Sequence, residues 1–92
     1  MKITVEYFGQ LGMIVGKKEE EKEFPDGITV KEIVGNIAEG HGADFTDIVL
    51  DENGSIRPSV MVVVNDEAVD TRRMVPPADG QTVKLIPAIA GG

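Results

Sequence analysis

The chain ends Pro87-Ala88-Ile89-Ala90-Gly91-Gly92, and the group there that could do chemistry is the carboxylate of Gly92. Five small, uncharged residues after a strand-stopping proline span roughly 17 Å when extended, at about 3.3–3.6 Å each. That reach is enough to carry a terminal carboxylate into a buried site while a folded body stays outside. Gly91 and Gly92 have no Cβ atoms, so the backbone could pass a narrow channel. A carboxylate is a poor electrophile at neutral pH because its charge resists attack, so any use of this end requires prior activation by a separate enzyme. Taken alone, Gly-Gly is a weak signal, and a frayed terminus of small residues is the commoner case.

Other candidates fall away on inspection. Cysteine is absent, so there is no disulfide and no thiolate metal site, and any sulfur chemistry must use an atom brought from elsewhere. The single histidine, His41, sits between Gly40 and Gly42 at the expected end of a helix, where a histidine complements the dipole and solvent. No Gly-rich phosphate loop lies between a strand and a helix, and no histidine pair is spaced for zinc. Asp47, Asp51, Glu52 and Asn53-Gly54 suggest a calcium loop, but setting Gly54 as its obligatory glycine puts Val49 and Val60 at the first and last ligand positions. Neither can coordinate a hard cation, so no metal is expected. The run Lys17-Lys18-Glu19-Glu20-Glu21-Lys22-Glu23 reads as mixed-sign protection of an exposed edge strand. A self-sufficient enzyme is not indicated.

Composition narrows the class. Ninety-two residues make one domain, 1–92, with room for a single core. Apolar residues at 41% and charged residues at 27% are a globular balance. Nine Lys+Arg against sixteen Asp+Glu give a net charge of -7, which would repel a phosphate backbone and argues against nucleic acid as a partner. The acidity serves solubility and favours a basic face on a protein partner. Neither a basic region followed by a long apolar stretch nor a membrane span is evident, which places the chain in the cytoplasm.

The elements that must position the tail follow from periodicity. Lys2 to Phe8 alternates and reads as a strand, Gly9 to Gly16 as a glycine-bounded turn, and Lys17 to Phe24 as a second strand closing a hairpin. Thr29 with Glu32 forms a capping-box signature, so a helix begins at Val30. Its stripe is Val30, Ile33, Val34, Ile37 and Ala38, with Gly40 and Gly42 as the stop. Ala43 to Ser59 is irregular, with a surface hairpin or loop at Asn53-Gly54. Val60 to Val64 is a strand, Asn65-Asp66 a turn, Glu67 to Val69 a short strand, Val75 to Gly80 a Pro/Gly turn, and Gln81 to Ile86 the last strand. The order predicts an α+β β-grasp: a mixed sheet, first and last strands parallel at its centre, one main helix packed on one face, and residues 87–92 protruding as a tail. The continuous apolar run Val60 to Val64 puts apolar side chains on both faces. Either the loop after the helix covers the second face or a partner does.

Four stretches also resemble a known family: Val64-Asn65-Asp66-Glu67, Ala78-Asp79-Gly80, Val83-Lys84-Leu85-Ile86 and the Pro87 to Gly92 end. They are similar to the C-terminal half of ubiquitin-like sulfur carriers, which include the small subunit of molybdopterin synthase and the carriers of thiamine and cysteine pathways. The resemblance implies that an E1-like enzyme adenylates Gly92 with ATP and that a sulfur donor converts the acyl-adenylate to a thiocarboxylate. A sulfur-accepting enzyme, such as the large subunit of molybdopterin synthase, then takes the sulfur. No cofactor would be tightly bound, and the sulfur would ride on the terminus, which suits a chain without cysteine. The family's partner-facing surface maps onto Met61, Val63 and Ile86, with Tyr7 or Phe8 nearby, and onto the tail residues Pro87, Ala88, Ile89 and Ala90. The molybdopterin route is the first expectation. Pro87-Ala88 more closely resembles the cysteine-route carriers than the Pro-Pro of the molybdopterin branch, so cysteine and thiamine routes stay open. So does a ubiquitin-like modifier joined to lysine, and a binding domain with an incidental tail.

Overall fold

A computed structural model describes residues 1–71 and 77–88. The elements in chain order are β1 (Lys2–Tyr7), α1 (Gln10–Val15), β2 (Glu19–Glu23), α2 (Val30–His41), α3 (Ala43–Val49), β3 (Val60–Val64), β4 (Glu67–Ala68) and β5 (Thr82–Pro87). The five strands form one sheet in the order β2-β1-β5-β3-β4. β1 and β5 run parallel at its centre and every other pairing is antiparallel, which is the expected β-grasp.

Alternation in β1 becomes alternation in burial, with Ile3, Val5 and Tyr7 inside. Val60 and Val62 of β3 and Val83 and Leu85 of β5 are buried with them, and α2 sets Val30, Ile33, Val34, Ile37 and Ala38 against that side. The helix starts where Thr29 and Glu32 dictate. The Glu32 N–H donates to the Thr29 hydroxyl at 3.2 Å, and the Thr29 N–H donates to the Glu32 carboxylate at 3.2 Å. It ends at Gly42, whose N–H donates to the Ala38 carbonyl, while Gly40 lies inside the last turn.

Two segments differ from the reading of the sequence. Gly9 to Gly16 is not an open turn but encloses α1, whose Leu11 is fully buried and whose Gly16 closes the helix in the left-handed region at φ 85°. The stretch after α2 is irregular only from Leu50 onward. Its first seven residues form α3, which sends Phe45 and Val49 into the core. Both helices are too short for a 3.6-residue period to repeat, and repetition is what reveals a helix in a sequence. The following loop is a tight surface turn, as expected. Leu50 bridges Ile56, and one Asp51 carboxylate oxygen accepts from the N–H groups of Asn53 and Ser55 at 2.9 and 3.0 Å.

The turns around β5 hold it in place. Asn65 and Asp66 take φ values of 51° and 70°, a two-residue hairpin turn that joins β3 to β4. Before β5, the Lys2 N–H donates to Asp79 at 2.7 Å and the Gly80 N–H donates to the Lys2 carbonyl at 2.8 Å, clamping the two central strands at their starts. Of the expected Val75 to Gly80 turn, Val75 and Pro76 lie outside the described residues.

The two possibilities for the second face of the sheet are now distinguished. α3 packs into the same core as α2, so the segment after the main helix does not cover that face. Met61 and Val63 of β3 share it with Ile86 of β5, and no described helix lies on it.

Candidate functional site

The tail follows the central strand of the sheet. β5 is paired on both sides, to β1 by the parallel register Tyr7 with Leu85 and to β3 by the antiparallel register Val60 with Pro87. Proline has no N–H to give the ladder, so the next residue supplies it: the Ala88 N–H donates to the Ser59 carbonyl at 2.8 Å. Pro87 therefore does not stop the strand short but is its last residue, and Ala88 is exposed immediately beyond it. Gly9 stands against this point. A Cβ added to Gly9 would meet Pro87 Cγ at 3.7 Å, and its φ of 56° with ψ of −134° is a conformation open only to glycine. Ile89, Ala90, Gly91 and Gly92 lie outside the described residues.

Beside the tail's root lies the apolar part of the uncovered face. Met61 and Ile86 are direct cross-strand partners, and Met61 is 54% exposed. Val63 follows two residues along β3, opposite Lys84. Phe8, one residue past the buried Tyr7, is 39% exposed, and its N–H donates to the Leu85 carbonyl at 3.1 Å. Of the two aromatic candidates the structure thus leaves Phe8 available and removes Tyr7, because odd-numbered β1 residues face α2. Phe8, Ile86 and Met61 are brought together where β1 and β5 end and β3 begins, and Val63 lies farther along β3 on the same face. Met13 of α1 is 85% exposed near Phe8, and only its place in a short helix, invisible to periodicity, makes it part of this end of the molecule.

On the opposite side of β1, a polar cluster went unread in the sequence. The Tyr7 hydroxyl donates to Glu20 Oε1 at 2.5 Å, His41 Nε2 lies 3.1 Å from the same oxygen, and Lys17 Nζ lies 3.2 Å from Glu20 Oε2. The rings of Tyr7, His41 and Phe45 pack edge to face or tilted, with centroids 5.6–5.9 Å apart. His41 therefore does more than complement its helix dipole, since it ties the end of α2 to the edge strand β2. The signal for this contact is a register, Val5 with Glu20, that no local pattern contains.

The cluster sets two protonation states. Burial pushes the Tyr7 phenol upward, and its hydrogen bond to Glu20 and that carboxylate's charge push it further. At Glu20 burial works to raise the carboxyl, but hydrogen bonds from Tyr7, His41 and Lys17 and the charge of Lys17 outweigh it and lower the group to about 2. A depressed folded value contributes stability that is fully present above the ordinary carboxyl value near 4.5 and is lost as pH falls through about 2. Glu20 is 15% exposed, so we expect about 2 kcal/mol from it after screening. Urea denaturation of the wild type and Glu20→Gln should show a gap of about 2 kcal/mol at about pH 6 that closes most of the way by about pH 2.5. A gap independent of pH would contradict this account.

Among the described residues no group of three His, Cys, Asp or Glu side chains is placed to hold a metal ion. Nor is any helix among them long and apolar enough to cross a membrane.

A five-stranded mixed sheet with parallel central strands, one main helix on one face and the chain leaving from the central strand is the ubiquitin-like β-grasp. The ThiS family model matches residues 5–92, and the chain belongs to this family of ubiquitin-like sulfur carriers, whose members are small carrier proteins. No match was found among curated proteins. Three solved structures place the likeness. CysO in the BexX/CysO complex of Amycolatopsis orientalis is similar at 30% identity and a TM-score of 0.71, over 98% of this chain and 99% of that one. A putative molybdopterin converting factor, subunit 1, from Pyrococcus furiosus is similar at 27% and 0.73, over 97% and 99%. The fold is shared over the full length of both chains with SAMP1 from Haloferax volcanii, with a TM-score of 0.84 at 19% identity.

Proposed function

We propose that this chain carries sulfur on the carboxyl group of Gly92. An E1-like enzyme joins that carboxylate to the adenylyl group of ATP and releases pyrophosphate. A sulfide equivalent attacks the carbonyl carbon, the C–O bond to AMP breaks, and AMP leaves with the bonding pair. Loss of the sulfur's proton gives the thiocarboxylate. A partner enzyme in the cytoplasm then accepts the sulfur, with an acceptor of the molybdopterin-synthase type first and one of the cysteine-route or thiamine-route type as alternatives.

One observation carries the reading: the tail springs from a strand held on both sides, next to an uncovered apolar patch of Met61, Val63, Ile86 and Phe8. A partner seated on that patch receives Pro87 and Ala88 in a fixed direction, so the remaining residues need only be threaded. Without a fixed root, ordering the tail would cost about 1–2 kcal/mol for each residue immobilised. The molybdopterin and cysteine routes are drawn from the relatives named in those contexts, similar at 27% and 30%.

The test is the intact mass of the protein isolated from its own host under conditions that spare labile sulfur. The expected result is a fraction whose mass gain matches replacement of one oxygen by sulfur, localised by fragmentation to Gly92. Unmodified protein accompanied by adducts linked through Gly92 to lysine amines would overturn the carrier reading in favour of a protein modifier.

A further inference from the structure

The run from Lys17 to Glu23 has mixed signs in sequence, but the pleat of β2 sorts them. Val5 pairs with Glu20 and Ile3 with Lys22, which puts Glu20 and Lys22 on the α2 side. Glu19, Glu21 and Glu23 stand opposite Glu6, Thr4 and Lys2 on the uncovered side, and all three glutamates are exposed. A charged guard against edge pairing works with either sign and on either face. It gives no reason for one sign on one face.

Nor is the arrangement free of cost. Glu6 and Glu19 are direct cross-strand neighbours, and like charges so placed are destabilising. Lys84 relieves them only in part, because its ammonium is shared between Glu6 at 4.0 Å and Asp66 at 3.7 Å. Lys2 sits at the far end of the ladder, opposite Glu23. On the uncovered face Met61, Val63 and Ile86 form the apolar part, Lys84 of β5 stands between, and the carboxylates of Glu6, Glu19, Glu21 and Glu23 lie on β1 and β2 beside Thr4 and Lys2. β2, with its three glutamates, and β3, with Met61, are three strand spacings apart, about 14 Å, well inside one standard interface of about 800 Å² per partner.

We propose that this face docks, in a single footprint, a partner protein that is apolar against Met61 and Ile86 and carries a strip of arginine or lysine side chains against Glu6, Glu19, Glu21 and Glu23. Charge complementarity names the partner's chemistry, and continuity with the root of the tail names its place. The proposal rests on the carrier reading, because the occupant is the enzyme that receives Gly92. The glutamates recur every second residue along β2, so matching cations lie about 7 Å apart in a line. Nucleic acid and anionic membrane surfaces are repelled by the same ladder. Its work is in the encounter: a one-signed strip raises association rates by about ten- to a thousand-fold, and salt removes the effect.

The experiment measures association of the full chain with the E1-like adenylating enzyme of its own host by stopped flow, with ATP and magnesium present, over a range of salt. The ladder variant combines Glu19→Gln, Glu21→Gln and Glu23→Gln. A control removes the same charge elsewhere, with Glu39→Gln on α2, Asp44→Asn on α3 and Glu52→Gln in the loop after it. A third variant, Met61→Asp, disturbs the apolar half. At low salt the ladder variant should associate at least about tenfold more slowly than the wild type and lose most of the salt dependence, while the control changes by less than about threefold. The ladder variant should melt no lower than the wild type, since the Glu6–Glu19 repulsion is removed. Met61→Asp should weaken binding at every salt concentration. Equal rates for ladder and control variants, with the wild type adenylated, overturn the docking proposal alone. Failure of the wild type to be adenylated at all overturns the carrier reading and this proposal with it.

Discussion

Deletion of Gly92 should abolish adenylation and thiocarboxylation while leaving the melting transition where it is. The expected loss is complete on chemical grounds. Removing one residue withdraws the carboxyl group by about 3.3–3.6 Å, and a reacting pair must approach to about 3–3.5 Å. A misplacement of about 1 Å already costs roughly a hundred-fold, so a full residue takes the rate to background. Adding a third glycine after Gly92 should do the same, which separates reach from residue identity. The fold is insulated from both changes, since the sheet closes at Pro87 and the last described anchor is the Ala88 N–H on Ser59. ATP–pyrophosphate exchange with the adenylating enzyme is the readout for activity, and thermal unfolding is the readout for the fold. Exchange that survives the deletion would remove Gly92 from the mechanism.

The largest loss of stability should come from Phe45→Ala. Phe45 is fully buried, contributed by a helix of seven residues, and its ring meets Tyr7 edge to face with centroids 5.9 Å apart. Truncating a buried phenylalanine costs about 3–5 kcal/mol through lost transfer energy and the cavity left behind. A chain of this length is stable by about 5–14 kcal/mol in all, so the substitution removes a large share. Urea unfolding of the wild type, Phe45→Leu and Phe45→Ala should rank in that order, with the leucine variant losing well under half as much. A loss below about 1 kcal/mol for the alanine variant would mean that α3 is dispensable to the core. Because Phe45 also packs on His41, part of the loss should appear as slackening of the Glu20 contact.

These two residues divide the protein by how it is read. Gly92 is proposed from a signal that is local: a short run of small residues after a proline, in a chain with no cysteine, has little chemistry to offer except its carboxylate. The main helix was legible for a related reason, since the Thr29–Glu32 capping box and five apolar residues in one stripe lie within twelve positions. Strands β1, β3 and β5 announced themselves by alternation or by continuous apolar character, and their order implied the β-grasp. Phe45 was not legible. Two helical turns hold too few residues for the period to repeat, and Phe45, Ile48 and Val49 in a polar stretch look like any loop with anchors.

Charge and aromatic placement depended wholly on the tertiary structure. That Tyr7 is lost to the core and Phe8 left available follows from which side α2 packs, a choice no residue in β1 makes alone. The partnership of Tyr7, Glu20 and His41 joins positions separated by 13 and 21 residues through strand register and helix length together. The acidic ladder is the plainest case: in order along the chain the charges of β2 are mixed, and only pairing with β1 assigns a face to each. A sequence by itself determines periods, caps, breakers and the chemical groups present, because those act over a few bonds or one helical turn. Faces, registers and neighbours come from the packing of the whole sheet, because a strand's side chains gain an inside and an outside only when something covers one of them.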